Sequence, residues 1–439
     1  MNFPFLFLGS IPRRFAAGLL LLGLLCIAPL SAQEGNSLDW DIDSVFDEPH
    51  WESPLTEEPQ NNTAGITVLE MIQRRGFYFD ISSEFITGVA PGWYDLPWSA
   101  DWDKSEYYLG RYIRMRNSFT LDVQISRVFR TRSTINFEIP NFGFSLGDFF
   151  FDYSLYDTVF FRGGKHELSW GISPNYGFTN LLSRVPRDAY EGGAGDSFIL
   201  KAEVPIGKGG IQALALTRAD LMRSARLLTS DDFGFGGKFN FAHRWVDFDM
   251  GAFYQDGMAL RGFVSIKTTI GSTELYSEWL GAIDTHDMSN ISGAFNFGFG
   301  QDFFGGKLNA NGELFYNREK DTYWYHPETH IREAGTSPFM EGLNIAMNLL
   351  FRPWEKGDPR LFLRTLYAPR QNSAQLIPGF RLSPWSHLEF YLAMPMSLGG
   401  KDGYYYKNTP TIDNENRPLP FAIIFLITLK GGIQFGHYF

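Results

Sequence analysis

The sequence predicts an all-β protein: a closed, antiparallel transmembrane β-barrel of about 18 strands, within a range of roughly 14 to 18. Three observations predict this fold. Apolar and polar residues alternate with a period of two along most of the chain. The connections between these alternating segments are long and short in turn. Of the 439 residues, 17% are aromatic and 42 are Phe, an excess that an outward-facing lipid belt explains without any ligand.

Composition and charge exclude several classes of protein. The single cysteine, Cys26, excludes a disulfide framework and a Cys-ligated metal site. The formal charge of −11 argues against nucleic acid as a partner, because phosphates would repel the chain. His326 and His330 have the i, i+4 spacing of a metal pair, but Pro327 argues against the helix that would align them. We therefore expect no cofactor and no metal site.

The first 66 residues form two segments of different character. Residues 1–32 have a short basic start, an apolar run and small residues at its end, which predicts a signal peptide. Residues 33–66 contain nine acids and no Lys or Arg. Such a composition cannot bury enough apolar surface to fold, so it predicts a disordered tail in the periplasm. Because Trp40, Phe46 and Trp51 lie among the acids, a short binding motif for a periplasmic partner stays open.

Residues 67–439 are predicted to form the barrel. The first alternating runs cover 77–89, 119–126 and 132–139, and each has one apolar and one mostly polar face. Further strands are predicted near 148–155, 158–170, 196–205, 209–218, 233–242, 245–255, 258–269, 272–282, 290–300, 306–317, 338–351, 358–368, 374–384, 386–398 and after Pro420.

The connections after the first strand alternate in length. Long ones cover 90–116, 171–195, 219–232, 318–337 and 399–419, and short ones cover 129–131, 156–157, 206–208, 243–244 and 270–271. Outer-membrane barrels have short periplasmic turns and longer extracellular loops, so the pattern predicts the outer membrane of a diderm bacterium. An even strand count places both barrel ends in the periplasm. One exception is the connection 256–257, which is short although it lies at the end of the barrel where the other connections are long. A second is the stretch 420–439, which fits either one long strand or a hairpin at Gly431-Gly432.

The last residues carry a more specific pattern. Ile433, Phe435 and Phe439 are apolar at alternate positions and end the chain on Phe, whereas His437 departs from the pattern. This ending resembles the signal that the barrel-assembly machinery recognises. The expected partners are therefore that machinery and the outer-membrane lipid bilayer.

The most distinctive local pattern is Phe161-Arg-Gly-Gly-Lys-His-Glu-Leu-Ser-Trp170-Gly, followed by Pro174 and a Thr-Asn pair at 179–180. A Gly-Lys/Arg-x-x-x-x-Trp-Gly strand leading into such a loop resembles porin-like barrels of the alginate-export and related substrate-specific types. The match covers about 35 residues of the 439. The resemblance implies a solute channel with a charged lumen. The pair Gly163-Gly164 marks a candidate bulge, which leaves the inward face after it open.

Charged strand residues at membrane depth are expected to face the lumen, because a charge on the lipid face costs about 2–4 kcal/mol at the midplane. The arginines cluster early in the barrel, so they either attract anionic solutes or are neutralised by acids opposite. Both alternatives stay open at this point. The selectivity candidates are the loop 171–195 and Arg127, Arg132, Arg162, Lys165, Glu167 and Trp170.

The resulting interpretation is an outer-membrane channel or transporter that passes a small polar or charged solute without chemistry. The alternatives are a transporter of hydrophobic solutes, as fatty-acid transporters are, and a surface adhesin with a plugged lumen. Against the hydrophobic-solute transporter, the chain has no long N-terminal segment to plug the barrel, since residues 67–75 before the first strand are too few. An enzyme is not expected, because no G-x-S-x-G is present; a phospholipase would have to use His166 or His243. The solute and the oligomeric state, including a homotrimer, stay open.

Overall fold

The computed structural model contains one closed antiparallel sheet. It describes residues 76–99, 102, 105–140, 143–166, 170–176, 198–217, 233–255, 259–283, 285, 291–318, 342–354, 358–400, 403–407 and 419–438. The predicted signal peptide (1–32) and acidic tail (33–66) lie outside these residues.

Twenty strand segments make up the sheet. They are β1 (Gly76–Trp93), β2 (Tyr107–Ser126), β3 (Phe129–Ile139), β4 (Gly143–Leu155), β5 (Val159–Lys165), β6 (Phe198–Ile206), β7 (Gly209–Thr217), β8 (Phe233–His243), β9 (Val246–Gln255), β10 (Leu260–Ile270), β11 (Thr273–Ile283), β12 (Ile291–Phe303), β13 (Leu308–Asn317), β14 (Gly342–Phe351), β15 (Arg360–Ala368), β16 (Ser373–Trp385), β17 (Leu388–Ala393), β18 (Met396–Gly399), β19 (Phe421–Ala422) and β20 (Ile424–Tyr438).

These segments form 18 barrel strands. β17 and β18 both pair with β16 and form one strand interrupted at Pro395, which has no N–H to donate. β19 and β20 form another, interrupted at Ile423. The barrel closes where β20 pairs with β1, from Gly76↔Tyr438 to Val89↔Phe425. The predicted closed antiparallel barrel of about 18 strands is therefore confirmed.

Helical structure is minor among the described residues. A 3-10 turn covers Pro369–Gln371 and a short α-helix covers Tyr404–Lys407. None of the helices in the described part of the chain is long and apolar enough to cross a bilayer.

The strand alternation separates an apolar outer face from a mostly polar inner face. On β12, Phe295, Phe297 and Phe299 are exposed on the outer face, while Ser292 and Asn296 are buried on the inner face. Exposed aromatic residues also mark both ends of the barrel: Trp245, Trp354 and Trp385 at the short-turn end, and Trp98 and Tyr107 at the other. This arrangement matches an apolar belt between two aromatic girdles.

Several strand ends differ from the sequence prediction. β1 continues to Trp93 and β2 begins at Tyr107, so the predicted connection 90–116 shrinks to 94–106. The period of two continues through 107–116, but arginines and tyrosines on both faces weaken its apolar contrast. β4 begins at Gly143, which makes the β3–β4 connection short.

The structure settles two strands that contain glycine pairs. The final stretch is one strand that runs through Gly431 and Gly432, with Gly431 opposite Ser83. The other strand, β5, contains Gly163 and Gly164 and ends at Lys165, whereas the sequence predicted an end near residue 170.

The predicted short turn at 156–157 is confirmed, since Tyr156 and Asp157 both have positive φ, at 52° and 53°. Two consecutive positive φ angles suit a two-residue hairpin.

Candidate functional site

The wall strand β5 ends at a glycine that redirects the chain into the barrel. Gly164 has φ +132°, and a Cβ there would lie 2.1 Å from the carbonyl oxygen of Phe149, so only glycine fits. Beyond it, Lys165 and His166 are both buried, which breaks the alternation of the strand. Residues 170–176, called here the inward segment, then lie inside the barrel against its inner face.

Two aromatic side chains of the inward segment pack against aromatic rings on the inner face of the barrel. Trp170, only 2% exposed, packs against Phe263 with 5.8 Å between ring centroids. Tyr176 stacks on Phe315 at 4.8 Å. The buried apolar cluster that contains them is Trp170, Tyr176, Ile199, Leu214, Leu216, Phe253, Ala259, Phe263, Leu280, Ala282, Ala294, Phe315 and Ala346. The inward segment therefore occupies the side of the lumen next to β6–β14.

A single carboxylate, Glu313 on β13, receives most of the polar contacts of the inward segment. It is 2% exposed. Ser173 Oγ donates to Oε2 at 2.8 Å, while the backbone N and Nδ2 of Asn175 donate to Oε1, each at 3.1 Å. From the wall, Tyr276 Oη donates at 2.8 Å and Asn296 Nδ2 at 3.3 Å. Five donors thus satisfy the buried charge that would otherwise be costly.

Further hydrogen bonds extend this attachment across neighbouring strands. The backbone N of Ile172 donates to Oε1 of Glu278 on β11 at 2.7 Å. On β14, Asn348 Nδ2 donates to Oδ1 of Asn175 at 2.7 Å and to Oδ1 of Asn311 at 2.8 Å. The inward segment is therefore held by side chains from β11 to β14.

A second piece of chain enters the barrel near β15. The backbone N of Tyr405, in the short helix Tyr404–Lys407, donates to Ser373 Oγ at 3.0 Å. Tyr405 is buried with Ala368 and packs on Leu366. Leu366 also packs on the cluster around the inward segment. Leu366 of β15 therefore packs on both buried clusters, of which one contains Tyr405 and the other contains Trp170 and Tyr176 of the inward segment.

The wall from β1 to β6 has a charged inner face. Arg114 pairs with Glu138, Arg130 with Asp122, Arg162 with Asp152, Lys201 with Glu203, and Arg132 more loosely with Asp148 at 3.7 Å. Many of these side chains are partly exposed, unlike the buried inner face of β10–β14. Acids on neighbouring strands therefore offset Arg114 and Arg130 of the early arginine cluster, and Arg132 more weakly.

The predicted selectivity residues on β3 and near it lie in different settings. Arg127 lies in the exposed turn between β2 and β3 rather than on the inner face of a strand. Arg132 is on the inner face of β3, with its side chain 38% exposed. The two are therefore not brought together.

Three of the predicted residues, on and after β5, are buried. Arg162 is buried, with its Nε 2.6 Å from Oδ1 of Asp152 and its guanidinium 4.3 Å from the ring centroid of Phe150. Lys165 is buried at the end of β5, and Trp170 belongs to the inward segment. Glu167 and residues 177–195 of the predicted loop lie outside the described residues.

The sequence interpretation missed Glu313 and its amide neighbours. One signal was available: Asn309, Asn311, Glu313 and Asn317 alternate on one face of β13 and make that face unusually polar. The contact with Asn175 joins residues 138 positions apart, so no local pattern indicated it.

Burial alters the pKa of two groups that lie outside the strands. Burial, reinforced by the nearby cations Arg162 and Lys201, lowers the pKa of His166 to about 3. Burial also raises the pKa of the Tyr176 hydroxyl above its ordinary value. Both side chains are therefore neutral at physiological pH. Within the described residues, no group of three or more His, Cys, Asp or Glu is placed to hold a metal ion.

The residues of the predicted insertion signal lie on the outer face of the last strand. Ile433 and Phe435 are each 54% exposed, and Phe435 lies 6.5 Å from Phe79 of β1 between ring centroids. Phe439 lies outside the described residues.

No protein-family model and no curated protein matches the chain. Solved structures do match. OccAB2 of Acinetobacter baumannii aligns with a TM-score of 0.50 and 7% identity, over 82% of this chain and 98% of that one. OccK3 (OpdO) of Pseudomonas aeruginosa also aligns with a TM-score of 0.50, at 8% identity, over 82% of this chain and 96% of that one. The fold is thus that of a porin-like β-barrel, as the resemblance implied.

Proposed function

We propose that the protein is an outer-membrane channel that passes a small polar or charged solute between the inward segment and the charged wall of β1–β6. One observation carries the proposal. The inward segment covers the inner face of β10–β14, whereas ion-paired, partly exposed side chains line the inner face of β2–β4. A barrel of this size has more lumen than its own side chains fill. A polar, partly exposed wall beside an attached inward segment suits a water-filled path.

The membrane setting rests on the outer face. Apolar side chains cover it between aromatic residues at both ends, and in hydrocarbon only a closed sheet satisfies its backbone. Gly76 and Tyr438 pair at the short-turn end, which supports a periplasmic position for the tail 33–66. Ile433, Phe435 and Phe439 remain our candidates for recognition by the assembly machinery.

Adjacent serines on β1 give a matched test of the path. Ser82 is exposed on the inner face, in the same register as Ser118 and Gly432. Ser83 faces outward and donates to Asn117 Oδ1 at 2.6 Å. Ser82→Cys and Ser83→Cys are refolded without the predicted signal peptide, so that each has one thiol, and are placed in planar bilayers.

A charged, membrane-impermeant thiol reagent should lower the single-channel conductance of Ser82→Cys and leave that of Ser83→Cys unchanged. Equal effects on both variants would contradict the assigned inner face. Absence of discrete current steps from folded, inserted protein would refute an open channel and favour a plugged transporter or an adhesin. Deleting the loop 171–195 then separates these two, since only an adhesin would lose attachment to a cell or phage.

A further inference from the structure

The last strand extends far beyond its neighbour at the short-turn end of the barrel. β17 begins at Leu388, which lies opposite Leu429 of β20, yet β20 continues to Tyr438. Nine residues, 430–438, therefore run past the start of β17. By comparison, β8 runs only two residues past the one that lies opposite the start of β7. The rim of the barrel thus has a step between β17 and β20.

One edge of this extension has no strand partner among the described residues. β1 pairs with the other edge as far as Gly76↔Tyr438, whereas the pairs with β17 stop at Leu388↔Leu429. The side chains of 431–436 are all exposed. An open strand edge presents a row of N–H and C=O groups and is a template for the addition of another strand.

The direction of the free backbone groups follows from one hydrogen bond. The backbone N of Lys430 donates to the carbonyl oxygen of His387, in the turn before β17, at 2.9 Å. Along a strand, the N–H and C=O groups of alternate residues point to the same edge. Those of Gly432, Gln434 and Gly436 therefore point to the open edge. Two of these three residues are glycines, which leave room for the close approach of another backbone.

The acidic tail contains a segment whose pattern fits an added strand. Residues 41–47 read Asp-Ile-Asp-Ser-Val-Phe-Asp, with acids at three of the four odd positions and apolar residues at two of the three even positions. This period of two gives a strand with one acidic and one less polar face. The segment has seven residues, as many as the stretch 431–437 of the open edge. It lies outside the described residues.

The connection to the barrel is long enough for this segment to reach the open edge. Gly76, the first residue of β1, lies opposite Tyr438 at the end of the extension. The 28 residues 48–75 lie between the segment and Gly76. Fully extended, they span about 90 Å at ~3.3 Å per residue, whereas the extension of β20 is about 30 Å long. A tether of this kind keeps the segment at a high effective concentration beside the edge.

We infer that residues 41–47 pair with the open edge of β20 at 431–437 as an additional strand. Ile42 and Phe46 then lie on the outer face beside the exposed Ile433 and Phe435. The acidic face turns to the inner side, where residues 430–438 contribute no acid. The added strand satisfies the free N–H and C=O groups and closes the edge to strands of other proteins.

Amide hydrogen exchange tests this pairing, read by mass spectrometry on the folded full chain without the predicted signal peptide, in detergent. The double variant Asp43→Pro/Ser44→Pro removes two adjacent N–H groups, one of which points to β20 in any register. The amides of Gly432, Gln434 and Gly436 should exchange about 10-fold or more faster in this variant than in the original protein, because they lose their acceptors.

The matched control is Asn61→Pro/Asn62→Pro, which places the same pair of prolines in the tail outside 41–47. It should leave the exchange of the three amides as in the original protein. The altered migration of folded barrels on unheated gels confirms that each variant is folded. Neither variant changes a residue of the barrel, and the measurement does not require conduction.

Three outcomes would overturn the inference. The first is equal exchange of the three amides in the original protein and in Asp43→Pro/Ser44→Pro. The second is equal acceleration by both pairs of prolines, which would remove the specific role of 41–47. The third is protection that disappears when the original protein is diluted, which would assign the open edge to a second copy of the chain.

Discussion

Replacing Glu313 with Gln should release the inward segment from the wall. Glu313 accepts five hydrogen bonds, three of them from Ser173 and Asn175 of that segment. Gln has the same shape but no charge, and one of its two oxygens becomes an NH₂ donor. In either orientation of the amide, this NH₂ faces at least one N–H donor, from Asn296 or from Asn175, that now lacks an acceptor.

The magnitude follows from the contacts. A hydrogen bond to a charged group contributes about 1.5–3 kcal/mol, and a buried donor left without an acceptor costs about 1–3 kcal/mol. Allowing for Trp170 and Tyr176, which keep their packing in the variant, we expect a net loss of about 3 kcal/mol in the attachment of the segment. At 1.4 kcal/mol for each factor of ten, the displaced state should become roughly 100-fold more populated.

Single-channel recording in planar bilayers measures this change. Glu313→Gln should show larger or more frequently fluctuating currents than the original protein, because the segment leaves the lumen more often. The control is Glu138→Gln, which makes the same substitution on the inner face of β3, where Glu138 pairs with Arg114. The control should alter ion selectivity without added fluctuations. Currents from Glu313→Gln that match the original protein would refute the role given to Glu313.

Three further predictions follow from the described contacts. Trp170→Ala should destabilise the folded protein by about 3–5 kcal/mol and increase conductance, measured by thermal unfolding in detergent and by bilayer recording; a loss within the error of the assay would contradict its packing role. His166 has a pKa of about 3 when folded against an ordinary 6.5, so its neutral form contributes stability above pH 6.5 that is lost as the pH falls toward 3. At pH 4.5 this loss amounts to about 2–3 kcal/mol, so the unfolding temperature of His166→Asn should depend less on acid than that of the original protein; an equal dependence in both proteins would contradict the role of His166. Phe435→Ser should lower the yield of assembled barrel in membranes that contain the assembly machinery, whereas Phe299→Ser, an outward Phe on β12, should lower it less; equal yields would remove Phe435 from the insertion signal.

The sequence predicted the fold well because each strand carries its own evidence. Phe295, Phe297 and Phe299 alternate with inward residues on β12, and lipid outside requires that alternation. Where the outer face is less apolar, the prediction was less accurate: the start of β2 at Tyr107 was missed. At Gly164 the sequence indicated a bulge, but the pattern continued to Trp170 and made β5 too long.

The candidate site was predicted only in part, because its parts come from distant places in the chain. Trp170 and Arg162 were selected from one local motif. Trp170 is the first residue of the inward segment, and Arg162 lies on β5, the strand that precedes the segment. Glu313 was not selected, since it is one polar residue among many on an inward face. Its role depends on which residues of the inward segment lie against it.

By itself, the sequence determined the class of fold: a period of two and an apolar outer face oblige the strands to close in a barrel, since an open edge has unpaired backbone groups. Only the tertiary structure decided which polar residues serve each other. It gave Glu313 five hydrogen-bond donors, and it paired Arg114, Arg130 and Arg162 with acids. The physical reason is that alternation of apolar and polar residues is a property of each single strand. Hydrogen bonds and charge compensation depend instead on distances between residues far apart in the chain, which no local pattern encodes.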